Sequence, residues 1–289
     1  MALPPTIRAF AALTKLPISA LSTLSAAVGH IAFVRALHWG ILPASGGVLL
    51  VALAACALNE WQERDLDACM ERTRRRPLPS GALGPGTALI IAAVLALSGL
   101  GLLWVLFKPA AAGLALLALA WYNGLYTPLK RITAFAVLPG SIIGALPPAI
   151  GWAAAGGDPL DPHVLVLSFF FFIWQVPHFW LLVAVHGEDY ERAGFPSLTR
   201  IFTARQLSRL IFIWMLFAGG SALLLPVYGL TVSPWVSMGL LAAGVWIALC
   251  GGMLLRAGGD RKSFRVAFRW INLHALLVMA LLALDGALA

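Results

Sequence analysis

The chain has 289 residues, of which 61% are hydrophobic and 11% charged, and its formal net charge is +8. A soluble domain carries about a quarter of its residues as Asp, Glu, Lys and Arg, so this composition excludes a water-coated globule and makes lipid the solvent. In a membrane protein basic residues report orientation, so nucleic acid is not needed as a partner to explain the positive charge.

Residues 1–15 contain prolines and charges without an apolar core ending in a small-residue cleavage site, so no cleavable signal peptide is expected. Apolar stretches then follow at 17–34, 47–58, 87–107, 110–126, 133–155, 163–185, 207–228, 234–255 and 266–284. A crossing helix takes about 20 residues, so nine such spans consume nearly the whole chain. The expectation is an all-α polytopic membrane protein, a nine-transmembrane-helix bundle forming one domain over 1–289. The second stretch is too short to cross, so its helix is expected to continue through the polar residues after Leu58 and to carry them at the membrane face.

Loop parity tests the count. Eighteen of the 20 Lys and Arg residues fall with the N-terminus and the loops after spans 2, 4, 6 and 8, leaving Arg35 and Lys108 opposite. By the positive-inside rule the N-terminus is cytoplasmic and the C-terminus outside. Nine of the 12 carboxylates share the basic face. The cysteines, Cys56, Cys69 and Cys250, have no metal-type spacing and read as packing residues.

Span 2 runs into Asn59-Glu60-Trp61-Gln62-Glu63-Arg64-Asp65-Leu66-Asp67, and span 6 into Glu188-Asp189-Tyr190-Glu191. On a helix Asn59, Glu63 and Asp67 recur at i, i+4 and i+8, which gathers their oxygens into one stripe. Asp65 lies off it, about 160° from both Glu63 and Asp67. Oxygen ligands of this kind suit Mg²⁺, which takes one or two carboxylates and leaves its other positions to water and substrate phosphate. Arg72-Thr73-Arg74-Arg75-Arg76 follows directly, and the loop after span 4 adds Tyr126 with Lys130 and Arg131. Arginines at such a face also set topology or touch anionic lipid, and they hold phosphate oxygens in bidentate fashion. Acidic runs plus cations on one face describe a Mg²⁺-diphosphate site.

Span 6 contains Trp174-Gln175-Val176-Pro177-His178-Phe179-Trp180, with Gln and His in an otherwise aromatic helix. Polar groups in lipid need partners. His178 and Asp189 are about three turns apart and share a face if the helix stays straight. His178 reads either as a substrate contact or as a satisfied interhelical histidine. His30, His38, His163, His186 and His274 have no such context and are treated as structural or interfacial.

These residues resemble the UbiA superfamily of intramembrane prenyltransferases, and within it the protohaem IX farnesyltransferase (haem O synthase) branch. The resemblance begins at Leu13-Thr14-Lys15, runs through Asn59, Glu63-Arg64-Asp65-Leu66-Asp67 and Met70-Glu71-Arg72-Thr73, and continues at Tyr126 and Lys130-Arg131. It extends through Gly144-Ala145-Leu146-Pro147-Pro148 with Gly151-Trp152, Trp174 to Phe179, and Glu188 to Pro196. The span-6 motif and the Asp-Tyr and Ala-Gly-Phe-Pro elements after it are the specific part; Arg-Pro-Leu-Pro is shared widely. Where the family pattern reads Asn-x3-Asp-x3-Asp, Glu63 stands in the middle. Ala134 to Val137 and Ser197 replace family Asn and Met.

The resemblance implies transfer of a farnesyl group from farnesyl diphosphate to a vinyl group of haem b. Asn59, Glu63 and Asp67 would hold one Mg²⁺, and Asp189 with Glu188 a second. Arg72, Arg76, Lys130 and Arg131 would neutralise the diphosphate. Tyr126, Trp174, Gln175 and His178 would contact substrate, with Trp61, Tyr122 and Phe179 as further aromatic candidates for the allylic cation. It also implies a bacterial inner-membrane location, with haem A synthase or oxidase assembly proteins as partners. Three rivals are a quinone-type aromatic prenyltransferase, distinguished by its product, a transporter, excluded by prenyl diphosphate turnover, and a non-catalytic haem-binding paralogue.

Overall fold

The computed structural model describes residues 5–288, and among them the regular structure is entirely helical. In chain order the helices are α1 (Pro5–Leu13), α2 (Leu16–Val34), α3 (Ile41–Ala68), α4 (Pro85–Leu106), α5 (Pro109–Ala120), α6 (Thr127–Leu129) and α7 (Val137–Gly140). They continue with α8 (Ile142–Ala154), α9 (Pro162–Arg192), α10 (Leu198–Ile201), α11 (Ala204–Val227), α12 (Pro234–Arg256) and α13 (Arg261–Leu288). Proline opens α4, α5, α9 and α12, where its missing N–H is no loss and its fixed φ is already helical.

Helix α3 spans 28 residues, so the short second stretch does continue through its polar end. Among the described residues, eight helical segments are long and apolar enough to cross a membrane. The predicted span at 110–126 is not one uninterrupted α-helix. It is α5, a π turn at Trp121–Tyr126 and α6, of 12, 6 and 3 residues in succession. Pro128 has no N–H to return to the carbonyl four residues back, which favours the wider turn. The predicted span at 133–155 is also broken, into α7 and α8.

The long helices form a closed circuit. From α2 each packs on the next through α5, α8, α9, α11, α12 and α13, and α13 returns to α2. Their outer faces expose Leu97, Trp104, Val105 and Leu249, as lipid-facing surfaces do. The connections sort into two ends. At one, Arg35 donates to the Gly229 and Leu230 carbonyls, Lys108 to Gly156, and Asp285 accepts from Val232 and Ser233. At the other, Lys15, Lys130 and Arg131 all bond residues of α3.

Helices α2 and α8 cross with their backbones in close contact. A Cβ on Gly29 would lie 2.0 Å from the Pro148 carbonyl oxygen, and one on Gly151 1.8 Å from that of Ala26. Small residues let membrane helices approach backbone to backbone, which accounts structurally for Gly151 beside the paired prolines. Gly151→Ala is expected to lower the thermal midpoint in detergent, at a cost of about 1–3 kcal/mol. Gly101→Ala, with nothing within 4 Å of the new methyl, should leave the midpoint unchanged. A second expectation concerns topology: if the α5–π–α6 segment crosses, a reporter fused after Ala289 is active only outside the cytoplasm. A cytoplasmic C-terminus would make that segment a non-crossing one.

Candidate active site

A cavity of about 340 Å³ runs between α2, α3, α5, α8, α9 and α13. Its polar end is built on the last three turns of α3. Asn59, Glu63 and Asp67 all line it and all are buried, while Asp65 is exposed and pairs with Arg64. The i, i+4, i+8 spacing therefore produces one inward stripe.

Each stripe residue meets a cation from a different segment. Lys15 Nζ donates to Asn59 Oδ1, Lys130 Nζ to Glu63 Oε2, and Arg76 donates to Asp67 Oδ2, all at 2.6 Å. Asn59 Nδ2 links the stripe internally, donating to Glu63 Oε2 at 3.1 Å and to Thr127 Oγ1 at 3.0 Å. Glu63 Oε1 is buried with no donor among the described residues. A buried carboxylate oxygen left unpaired is costly and is chemically suited to a hard cation, so the donor set fits Mg²⁺. Lys15 sits between α1 and α2 in a left-handed conformation (φ 46°). Burial first, and the Arg76 charge second, hold its ammonium below the usual lysine range, with Glu63 acting in the opposite direction.

The π turn supplies the next layer. Asn123 donates to the Ala55 carbonyl and to Gln62 Oε1, and Gln62 donates back to the Asn123 carbonyl. This clamp presents Tyr122 and Tyr126 to the cavity, their rings stacked at 5.8 Å, with Phe179 5.9 Å beyond Tyr126. Lys130 Nζ lies 5.6 Å from the Tyr126 ring centroid. Deeper in, Trp174, Gln175 and His178 line the wall from α9. Trp174 Nε1 donates to the Ile271 carbonyl, and His178 Nδ1 lies 2.7 Å from Asn272 Oδ1. Gln175 abuts Gly144, where a Cβ would come within 1.6 Å of its Oε1.

Several expected residues lie elsewhere. Helix α9 does reach Arg192, but His186 is non-helical (φ −119°, ψ 17°). The bend breaks the straight three-turn relation between His178 and Asp189, and Tyr190 rather than Asp189 lines the cavity. Glu188 is exposed, and both Glu188 and Asp189 lie 3.8 Å from Arg192. Arg131 is exposed and donates to the Gln62 carbonyl, and Trp61 lies under the Arg64 guanidinium, so neither lines the cavity. Arg72 does line it. Lys15, Thr127 and Asn272 carry site contacts that spacing along the chain did not single out. The only sequence sign for Lys15 was its place in the shared Leu-Thr-Lys element.

Comparison with known proteins agrees with this architecture. The sequence pattern of the UbiA prenyltransferase family matches residues 16–282. The protoheme IX farnesyltransferase of Geobacter sulfurreducens is 42% identical over 76% of this chain and 82% of its own length. That of Oleidesulfovibrio alaskensis is 34% identical over 96% of each chain. The solved structure of a UbiA homolog from Archaeoglobus fulgidus bound to GPP and Mg²⁺ matches with a TM-score of 0.66 at 12% identity, covering 92% of this chain and 99% of that one. With a buried Asn-Glu-Asp stripe at the mouth of an all-helical membrane bundle and sequence matches along nearly its whole length, the chain belongs to the UbiA prenyltransferase family.

Proposed function

We propose that this chain transfers the farnesyl group of farnesyl diphosphate to a vinyl group of haem b, giving haem O. The observation that carries this reading is the pairing of three stripe residues with three cations at the mouth of a cavity lined otherwise mainly by aliphatic and aromatic side chains, in a chain 34–42% identical to proteins named protoheme IX farnesyltransferase. Location in a bacterial inner membrane, and delivery of the product to haem A synthase or oxidase assembly proteins, belong to the same proposal.

The diphosphate binds at the polar end. Arg76, Lys130 and Lys15 each carry donors beyond the one spent on the stripe, and Arg72 adds a guanidinium at the rim. As the allylic C–O bond breaks, negative charge grows on the leaving diphosphate, and these prepositioned cations stabilise it. Asn59, Glu63 and Asp67 would hold Mg²⁺, which supplies further neutralisation of the leaving oxygens. Glu188 and Asp189 enter this reading as a second acidic pair beside Arg192, outside the residues that line the cavity.

The farnesyl chain extends along the apolar wall of α2, α8 and α13. Its C1 lies near Tyr122, Tyr126 and Phe179, whose ring faces stabilise positive charge while the enclosure keeps bulk water from it. The haem occupies the aromatic end beside Trp174, Gln175 and His178. The terminal vinyl carbon attacks C1, water adds at the other vinyl carbon, and the released proton passes to the diphosphate. The product is the hydroxyethylfarnesyl porphyrin.

Purified protein incubated with haem b, farnesyl diphosphate and Mg²⁺ should yield haem O by mass spectrometry of the extracted pigment; a farnesylated quinone precursor in place of haem O would sink the acceptor assignment. Asp67→Asn, which keeps the side-chain volume but removes the charge, should lower turnover by about a hundredfold. Asp65→Ala, at an exposed position, should stay within about twofold of wild type. Equal losses in the two variants would refute the stripe.

A further inference from the structure

At the aromatic end of the cavity, the hydrogen bond between His178 on α9 and Asn272 on α13 has a fixed direction. Asn272 Nδ2 lies 2.6 Å from the main-chain carbonyl of Phe268, one turn back on its own helix. A carbonyl oxygen only accepts, so the amide nitrogen must face Phe268 and the amide oxygen must face His178. That oxygen, Oδ1, is 2.7 Å from His178 Nδ1. An amide oxygen cannot donate, so Nδ1 carries the hydrogen. A neutral imidazole has one N–H, which leaves Nε2 with its lone pair free.

Nε2 has no hydrogen-bond partner among the described residues, and it is not among the polar atoms sealed inside the protein. His178 itself lines the cavity. The ring has little freedom to turn: its centroid is 4.9 Å from those of Trp174 and Phe268 and 5.4 Å from that of Phe179. The Trp174 bond to the Ile271 carbonyl, one residue before Asn272 and one turn before His178, sets the register of α9 against α13. Two adjacent positions on one helix thus meet an i, i+4 pair on the other.

We infer that Asn272 is a positioning residue. It locks His178 as the Nδ1–H tautomer, so that Nε2 faces the cavity as an unprotonated ligand for the iron of the porphyrin acceptor. The inference rests on the acceptor reading above and adds to it the atom that binds the iron and the residue that aims it. A histidine that ligates a metal nearly always donates its other N–H to a fixed oxygen, which sets its tautomer and orientation. Asn272 provides that oxygen as an uncharged amide, aligning the ring without adding charge to an apolar pocket. With the iron held from α9, rotation of the macrocycle about the Fe–N axis is the main freedom left for bringing a vinyl edge to the allylic carbon, a gain in orientation of the kind that lowers barriers.

The test uses the full-length protein in nanodiscs, titrated with haem b, with the iron–imidazole stretch of the ferrous complex read by resonance Raman and a farnesyl diphosphate analogue as the second ligand. Wild type should show the stretch. Asn272→Leu, similar in size but without an acceptor, should lose or lower it and weaken haem binding about tenfold or more, while the analogue binds as before. Asn272→Asp, which keeps an oxygen in place of Oδ1, should recover the stretch. His178→Ala should abolish it, and adding Asn272→Leu to that variant should weaken haem binding no further, because the two residues act as one unit. An unchanged stretch and affinity in Asn272→Leu would overturn the inference, as would additive losses in the double variant. Wild type that binds the analogue but no haem would instead remove the acceptor reading itself.

Discussion

The constraint on which the rest of this molecule depends is that a charge carried below the membrane face must be paired. Glu63 and Asp67 are 4% and 1% exposed, and removing one partner of such a buried pair costs about 3–5 kcal/mol. The pairing is met by Arg76 in the loop after α3 and Lys130 just beyond α6, while Lys15 at the α1–α2 joint donates to the neutral amide of Asn59 in the same stripe. The array that receives the diphosphate therefore also fastens these segments to the end of α3. Binding chemistry and local order are carried by the same contacts, so a variant that disturbs one disturbs the other unless it preserves shape.

The second constraint is close approach. The crossing of α2 on α8 brings backbone against backbone at Gly29 and Gly151, and both helices then contribute to the cavity wall. Opposite, the π turn rotates Tyr122 and Tyr126 inward while its own widened backbone is tied to α3 through Asn123 and Gln62. The polar stripe and the stacked tyrosines thus share α3 as their base. Charge at the mouth and aromatic faces just inside follow from one helix end and the turn clamped onto it.

What the sequence reveals of this arrangement follows the range of the forces involved. The crossing helices announce themselves by local apolar composition, and the inadequate length of 47–58 leads directly to the polar extension of α3. The stripe is readable because i, i+4, i+8 spacing is a property of one helix. The π turn is not, because the clamp that accompanies it joins residues 61 and 68 positions apart, and 110–126 has the composition of any span. The bend at His186 is hidden for a similar reason: Gly187 packs against Thr199, where a Cβ would meet the side chain at 2.7 Å, and nothing in the local pattern gives that contact. Lys15 finds its partner 44 residues away, and Asn272 is an ordinary polar residue of α13 until its neighbour on α9 is known.

Glu63 is the point at which this chain departs from the Asp of the family pattern, and its surroundings give the extra methylene a use. Oε2 already accepts from Lys130 at 2.6 Å and from Asn59 at 3.1 Å, so one oxygen is committed to holding the array together. A glutamate reaches about one carbon–carbon bond farther from the helix than an aspartate does, which lets that bridge form across the cavity mouth to a lysine beyond α6. Oε1 is then left without a donor among the described residues, as the carboxylate oxygen of this residue not spent on structure. Mg²⁺ is served by one or two carboxylates with substrate phosphate and water completing its shell, so one such oxygen beside Asp67 meets the requirement. The substitution thus keeps the carboxylate chemistry of the position and divides its two oxygens between fastening and binding.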